Sequence, residues 1–339
     1  NQIVLTAVGQ KVLGHQVEIF SNTHGQLAVR GRAAGLSVPE RSVGRGDFSL
    51  KTLGGVRAAL RTFSPDVIHI HESHGLMAAI LAVRGMKPRP RMIASRRVDF
   101  PLKATSRFKY RRMDKVLAVS NAVCDVLIHG GLPSEKVLLV HEGVNDRPPI
   151  PGGRALFAAL GIPGGAPVVG NVAQLVDHKD HATLIRAAAL VLKVRPTCHF
   201  VICGDGPLKA SLMDLASSLS IGAQIVFAGF RPDLDALIPV FDIFCLSSHL
   251  EGLGTSILDA MCFSRPVVAT RAGGIPDAVV DGQTGRLVAT RDPSALADAL
   301  LETLRSEAML RQYGLAGRAR FLRHLTSDAM VAATLAAYA

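Results

Sequence analysis

Residues 247–261 read S-S-H-L-E-G-L-G-T-S-I-L-D-A-M, and this stretch decides the fold. The apolar run 243–246 before it is a strand, Gly252 and Gly254 make a turn, and 256–263 carry helical periodicity. Strand, glycine turn and helix in that order open a βα unit, and the glycines let backbone approach a ligand closely. N–H groups at the start of such a helix lack partners within it and carry positive potential, which suits a phosphate. Glu251 and Asp259 stand eight residues apart, one before the turn and one about a turn into the helix, so both can face one pocket. The plain alternative is a glycine turn with a capping acid.

The same alternation runs outward in both directions. Strands are expected at 16–20, 66–71, 92–95, 115–119 and 136–141, with helices at 1–13, 50–63, 74–84 and 122–129. The second half repeats the pattern with strands at 168–172, 199–203, 224–227, 243–246, 266–269 and 286–288. Its helices are expected at 182–194, 208–219, 256–263, 294–305 and 328–338. Such alternation means an α/β protein with parallel sheets. Pro and Gly in D-R-P-P-I-P-G-G (146–153) break it into two doubly wound, Rossmann-like domains, expected to face a cleft. The expected bounds are 1–148 and 149–325, with a C-terminal helix in 326–339 that packs back on the first domain. Ligands of such sheets bind beyond the carboxyl ends of the strands.

The 339 residues are 48% hydrophobic and 19% charged, which excludes global disorder. No apolar run reaches the roughly 18 residues of a membrane-spanning helix. Five cysteines without a C-x-x-C pair read as small buried hydrophobes in a reducing, cytosolic setting. The net charge of +11 is concentrated: residues 84–115 hold twelve Lys/Arg against Asp99 and Asp114. One basic patch points to one anionic surface or ligand, and the absence of Trp argues against a nucleic-acid stacking platform. Phe100, Leu102, Phe108, Tyr110 and Met113 are interleaved there, so an anionic membrane surface or lipid-phosphate acceptor is the expected partner, with a solvated face as alternative.

Three smaller patterns need weighing. Gly204-Asp205-Gly206-Pro207 follows a strand but is no dinucleotide fingerprint, because Lys209 takes the third glycine position; a structural turn is the alternative. His69 and His71 share a strand face near its carboxyl end, with His74 just beyond. A metal would need a third ligand, so packed polar histidines are the larger expectation. Asp233-Leu234-Asp235 is formally D-x-D, but after Pro232 at a helix start it reads as capping; no metal is expected.

Taken in order and spacing, several segments resemble the family 4 glycosyltransferases of the GT-B fold over nearly the whole chain. They are the E-x7-D of 251–259, V-I-C-G-D-G-P (201–207), A-G-F-R-P-D (228–233), P-V-V-A-T-R-A-G-G-I-P-D (266–277) and D-G-Q-T-G-R-L-V (281–288). The resemblance implies a retaining enzyme that moves a sugar from a UDP- or GDP-sugar to a glycan or lipid-linked acceptor. It also implies no cofactor, a cytoplasmic location at the inner face of the membrane, and a place in cell-surface glycan or glycolipid synthesis. A non-catalytic nucleotide-sugar-binding protein and an epimerase on the same fold are the alternatives.

Carried over by resemblance, Glu251 takes the donor sugar's hydroxyls and the backbone of Gly252, Leu253, Gly254 and Thr255 cradles sugar and diphosphate. Asp259, where the family usually has a second Glu, takes the ribose. Phe230 and Arg231 belong to the base-reading loop, and Gly204 and Gly206 line the nucleotide site. Lys179 matches the family's phosphate-binding lysine, whereas Gln174 replaces its arginine. Arg97 stands where many relatives have a catalytic histidine, with Arg96, His71 and His74 on the acceptor side. Relatives also begin with a strand and a glycine-rich turn. Here 1–13 already reads as the first helix, so the first sheet is expected to lack its usual first strand and to show a gap or exposed edge.

Overall fold

All the strand ladders among the described residues are parallel, in two separate sheets. The structure, a computed structural model, describes residues 1–40, 43, 44, 46 and 49–339. It divides into two units, Asn1–Val144 with Thr326–Ala339, and Asn145–Leu325.

In the first unit β1 (Val67–Ile70), β2 (Arg91–Arg96), β3 (Lys115–Ala118) and β4 (Val137–Leu139) lie in sequence order. Ile93 and Leu117 at its centre are at most 3% exposed. The expected strand at 16–20 is not formed. That segment makes a single bridge, Glu18 to Ser37, and buries Ile19 against Ala7, Ala28, Leu36 and Val38. Its alternating pattern therefore encodes burial of one side chain, not a ladder. Among the described strands β1 has only β2 as neighbour, and a cavity of about 1120 Å³ lies alongside it, lined by Ile3, Ala7, Ile19, Val56, Ile70 and Tyr338 among others.

The end of the chain completes this unit. Val144 bridges Thr326, Ser327 N donates to Val144 O at 2.8 Å, and helix Ser327–Ala336 packs on helix Gln2–Val12. Gly9 is needed at that crossing, since a Cβ there would come within 2.5 Å of Val331.

The second unit has six strands: β5 (Val168–Val172), β6 (His199–Cys203), β7 (Ile225–Gly229), β8 (Ile243–Leu246), β9 (Val267–Thr270) and β10 (Gly285–Val288). Their order is β10-β9-β8-β5-β6-β7. β5 pairs with β6 on one side and β8 on the other, so the winding reverses there. Helices His181–Val194 and Pro293–Leu304 cover one face, burying Ile185, Val191, Leu296 and Leu300 completely. Each such aliphatic side chain contributes about 1.5–3 kcal/mol. On the strand itself Gly170 leaves room for the Phe241 ring, which a Cβ would meet at 2.1 Å. Among the described residues no disulfide forms; burial pushes the thiols of Cys198, Cys203 and Cys245 up to about 12.

Candidate active site

The reversal at β5 places two loops side by side, one after β5 and one after β8. They are stitched together by Ser247, whose buried hydroxyl donates to Lys179 O (3.1 Å) and Asp180 O (2.9 Å), and by His249 N on His178 O (2.9 Å). Asp180 holds a left-handed backbone, φ +47°, and caps helix His181–Val194 through Thr183 N at 3.2 Å. Below it His181 Nε2 donates to Asn171 Oδ1 at 3.1 Å, while Asn171 Nδ2 reaches Cys245 O of β8 at 2.8 Å. Burial, reinforced by Lys179, lowers the His181 pKa to about 4, so the imidazole is a neutral strut at ordinary pH.

This framework brings together two side chains that are far apart in sequence. Lys179 Nζ bonds Glu251 Oε2 directly, and Ser248 Oγ donates to the same oxygen at 3.2 Å. The side chains are 18% and 12% exposed. Next to them Gly254, φ +85°, is the N-cap of helix Thr255–Cys262 and offers no side chain to its first N–H groups. A lysine, a carboxylate and an open helix N-terminus can together hold a sugar diphosphate.

Gly204 and Gly206 sit where the loops after β5 and β6 touch. A Cβ on Gly204 would lie 1.9 Å from Ala173 O, and one on Gly206 2.4 Å from Leu175 O. Leu175 N donates to Asp205 O and Leu208 N to Leu175 O, so these glycines serve close backbone packing. Gln174 is exposed on the same loop. Phe230 is 77% exposed beyond β7. Arg231 grips Asp233 with Nε (2.8 Å) and Nη2 (2.5 Å), and this bonding holds the Asp233 carboxyl below its usual range. The expected capping role is thus corrected: Asp233 occupies the N-cap of helix Leu234–Leu237 but makes no side-chain cap bond, because Arg231 takes both oxygens.

Asp259 has a partner that the sequence reading missed. Arg147 donates to Asp259 Oδ1 at 2.7 Å and to Asp235 Oδ1 at 2.8 Å, with its guanidinium 5.2 Å from the centre of the Phe263 ring. Burial pushes the Asp259 carboxyl up, and Arg147 works against that shift. In sequence the stretch holding Arg147 is marked by Pro and Gly, which signal a break and not a charged site residue.

A second cluster lies at the carboxyl ends of β1, β2 and β4 in the first unit. Arg97 Nε donates to Glu142 at 2.7 Å and Arg97 Nη2 to His71 Nδ1 at 3.1 Å. Arginine can only donate, so His71 is neutral with its proton on Nε2. Burial, then His69 and Arg97, lower its pKa well below the ordinary value. His69 bonds Ser95 Oγ and Tyr338 Oη, each at 2.7 Å, and burial followed by Arg97 brings its pKa to about 3. Glu142 follows β4 and carries no motif signal in sequence. Arg96 lies deeper, 8% exposed, bonded to Phe100 O and 5.8 Å from the Tyr110 ring centre. His74 sits in the first turn of helix Ser73–Ala82. Among the described residues no three His, Cys, Asp or Glu side chains group to hold a metal.

Comparison with known proteins bears on both units. Residues 3–147 match the family model described as Glycosyltransferase Family 4, and residues 154–320 the model described as Glycosyl transferases group 1. A D-inositol 3-phosphate glycosyltransferase of Corynebacterium diphtheriae is 36% identical over 46% of this chain and 39% of its own length. The lipopolysaccharide core biosynthesis glycosyltransferase LpsE of Rhizobium meliloti is 29% identical over 52% of this chain and 51% of its own. The chain thus spans about half, or less, of the length of these curated relatives. Among solved structures, a glycosyltransferase of Rickettsia africae superposes with a TM-score of 0.88 at 19% identity, covering 99% of this chain and 92% of that one. Anabaena HepE, in complex with UDP and glucose, gives 0.84 at 20% identity, covering 99% and 95%. With two parallel α/β sheets, neighbours of this fold and family matches over both units, the chain belongs to the family 4 glycosyltransferases of the GT-B fold.

Proposed function

We propose that the protein transfers a hexose from a nucleotide-sugar, a UDP- or GDP-sugar, to a glycan or lipid-linked acceptor with retention at the anomeric carbon. The observation that carries this reading is the meeting of Lys179, Glu251 and the helix N-terminus at Thr255 beside the reversal of the second sheet. There the departing diphosphate gains charge as the glycosidic bond breaks. Lys179 and the N–H groups of the first helical turn stabilise it, which is electrostatic catalysis by groups already in place. Glu251 accepts from the sugar's hydroxyls and orients the ring, and no covalent nucleophile is invoked. Asp259, held by Arg147, takes the ribose, and the backbone near Phe230 and Arg231 takes the base. In the first unit His71, neutral and able to donate through Nε2, receives the acceptor beside Arg97 and Glu142. Residues 1–148 and 149–325 then correspond to acceptor and donor domains.

Relatives named for lipopolysaccharide core and inositol phosphate glycosylation support a cell-surface glycan or glycolipid acceptor. Among the described residues no helix is long and apolar enough to cross a membrane. Val98, Phe100 and Phe108 are 42–48% exposed within the basic stretch, and Arg112 lies 4.7 Å from the Phe108 ring centre. That surface combines apolar and cationic groups, as peripheral contact with anionic lipid at the cytoplasmic face requires.

The test is nucleotide release from UDP- and GDP-sugars with and without acceptor extract. Acceptor-dependent release from one donor is expected; binding without release would leave a non-catalytic nucleotide-sugar-binding protein. Cosedimentation with phosphatidylglycerol vesicles should fall with salt, and indifference to anionic lipid would remove the membrane contact.

A further inference from the structure

We propose that the Lys179–Glu251 ion pair is a switch by which the site distinguishes an intact nucleotide-sugar from the nucleoside diphosphate left after transfer. This rests on the donor-site reading above and adds a function for the contact between the two residues. Each is the other's ionic partner, and Glu251 is 12% exposed with Ser248 Oγ as its further donor. The loops that carry them are joined through Ser247 and His249, so their backbones stay side by side.

A diphosphate is a stronger anion than a carboxylate and draws Lys179 to itself. Glu251 is then left as a largely buried carboxylate without its cation and next to new negative charge, a costly arrangement. An intact nucleotide-sugar repairs this, because hydroxyls of the sugar donate to Glu251 in place of the lysine. A free nucleoside diphosphate brings no such donors. Glu251 therefore competes with diphosphate for Lys179 and is relieved of that competition only when a sugar is present. Once the sugar has moved to the acceptor, Glu251 recaptures Lys179 and the diphosphate is released. The pair penalises product more than substrate, using one carboxylate for both tasks.

Calorimetric titration of wild type, Glu251→Gln, Glu251→Asp and Lys179→Met with UDP, GDP, UDP-glucose and GDP-mannose tests this. Glu251→Gln keeps shape and hydrogen-bonding capacity but loses the charge. It should bind the diphosphate of the preferred nucleotide up to about fivefold tighter than wild type, while binding the corresponding nucleotide-sugar no tighter. Glu251→Asp keeps the charge and should show no tightening. Lys179→Met should weaken binding of the diphosphate. If Glu251→Gln binds diphosphate no better than wild type while Lys179→Met loses it, the switch is wrong and the donor site stands. If wild type binds none of the four ligands, the donor-site reading fails and takes the switch with it. Cooperative thermal unfolding of each variant secures the comparison, and a change of diphosphate and nucleotide-sugar affinity by the same factor would mark Glu251 as merely structural.

Discussion

The two sheets use the same strands and helices but are wound differently. In the second unit the chain lays β6 and β7 to one side of β5 and β8 to β10 on the other. The loops after β5 and β8 therefore lie above adjacent strands, which is where α/β sheets open a crevice. Lys179 and Glu251 meet there. In the first unit β1 to β4 follow one another without reversal, and the charged groups at their carboxyl ends bond among themselves, Arg97 with Glu142 and His71. A parallel sheet alone does not bring such loops together; the reversal is what sets the loops after β5 and β8 on adjacent strands.

The strongest way to break this contrast is to remove Glu251. Glu251→Ala should lower kcat/KM by about 10²–10³, the scale of losing one oriented transition-state contact, with unfolding still cooperative. Glu142→Gln should instead raise KM for acceptor and leave donor KM unchanged. An unaltered kcat/KM in the first variant would take Glu251 out of the site. A comparable effect on stability is expected from Gly204→Ala, which forces a Cβ against Ala173 O at 1.9 Å from a backbone at φ +148°. A loss of about 3 kcal/mol in urea unfolding is expected. Gly54→Ala, on an exposed helix position of the first unit with nothing within 4 Å, should stabilise by about 0.5–1 kcal/mol.

Acid reaches the first unit through His69 and His71 and the second through His181. His69 falls to about 3 and His181 to about 4 from an ordinary 6.5 on folding. Below 6.5 the unfolded chain takes up protons that the native imidazoles refuse, so stability is full above that pH and falls as pH drops towards 4 and 3. Each should cost about 2 kcal/mol at pH 5 relative to pH 7.5. Urea unfolding at the two pH values measures the drop, and His69→Gln and His181→Gln should each remove about 2 kcal/mol of it. Equal pH dependence in wild type and variants would count against burial of the neutral forms. The mildest effect is expected from Gln174→Arg, which supplies a charged donor on the exposed loop after β5 and should tighten nucleoside diphosphate binding by about threefold.

Much of the second unit was legible in the sequence because its strands are buried on both faces and read as unbroken apolar runs; 168–172, 199–203 and 243–246 have the bounds expected. The first unit was less so. Q-V-E-I-F alternates as a half-buried strand does, yet period two reports which side chains are buried and cannot supply a neighbouring strand. Helix Glu307–His324 went unread because glycine at 314 and 317 and six basic or acidic residues blur its apolar stripe; both glycines instead face neighbouring backbone or Met261. In the candidate site the motifs showed Lys179 and Glu251 separately, but their bond depends on the register of β5 against β8. Arg147 and Glu142 belong to pairs between distant parts of the chain, and nothing local marks them.

Gly143 lies against Thr326 so closely that a Cβ would meet its carbonyl oxygen at 2.2 Å, and Tyr338 closes on His69 and Gln10. The first unit is therefore assembled from segments that leave the ribosome before and after the whole of Asn145–Leu325. Its early portion must wait, with helix Gln2–Val12 still lacking helix Ser327–Ala336, until the intervening unit has been synthesised. A chain halted at Leu325 should retain a protease-resistant second unit and release the first to digestion. In the growing protein, the unit that carries Lys179 and Glu251 has all its segments before the unit that is translated first.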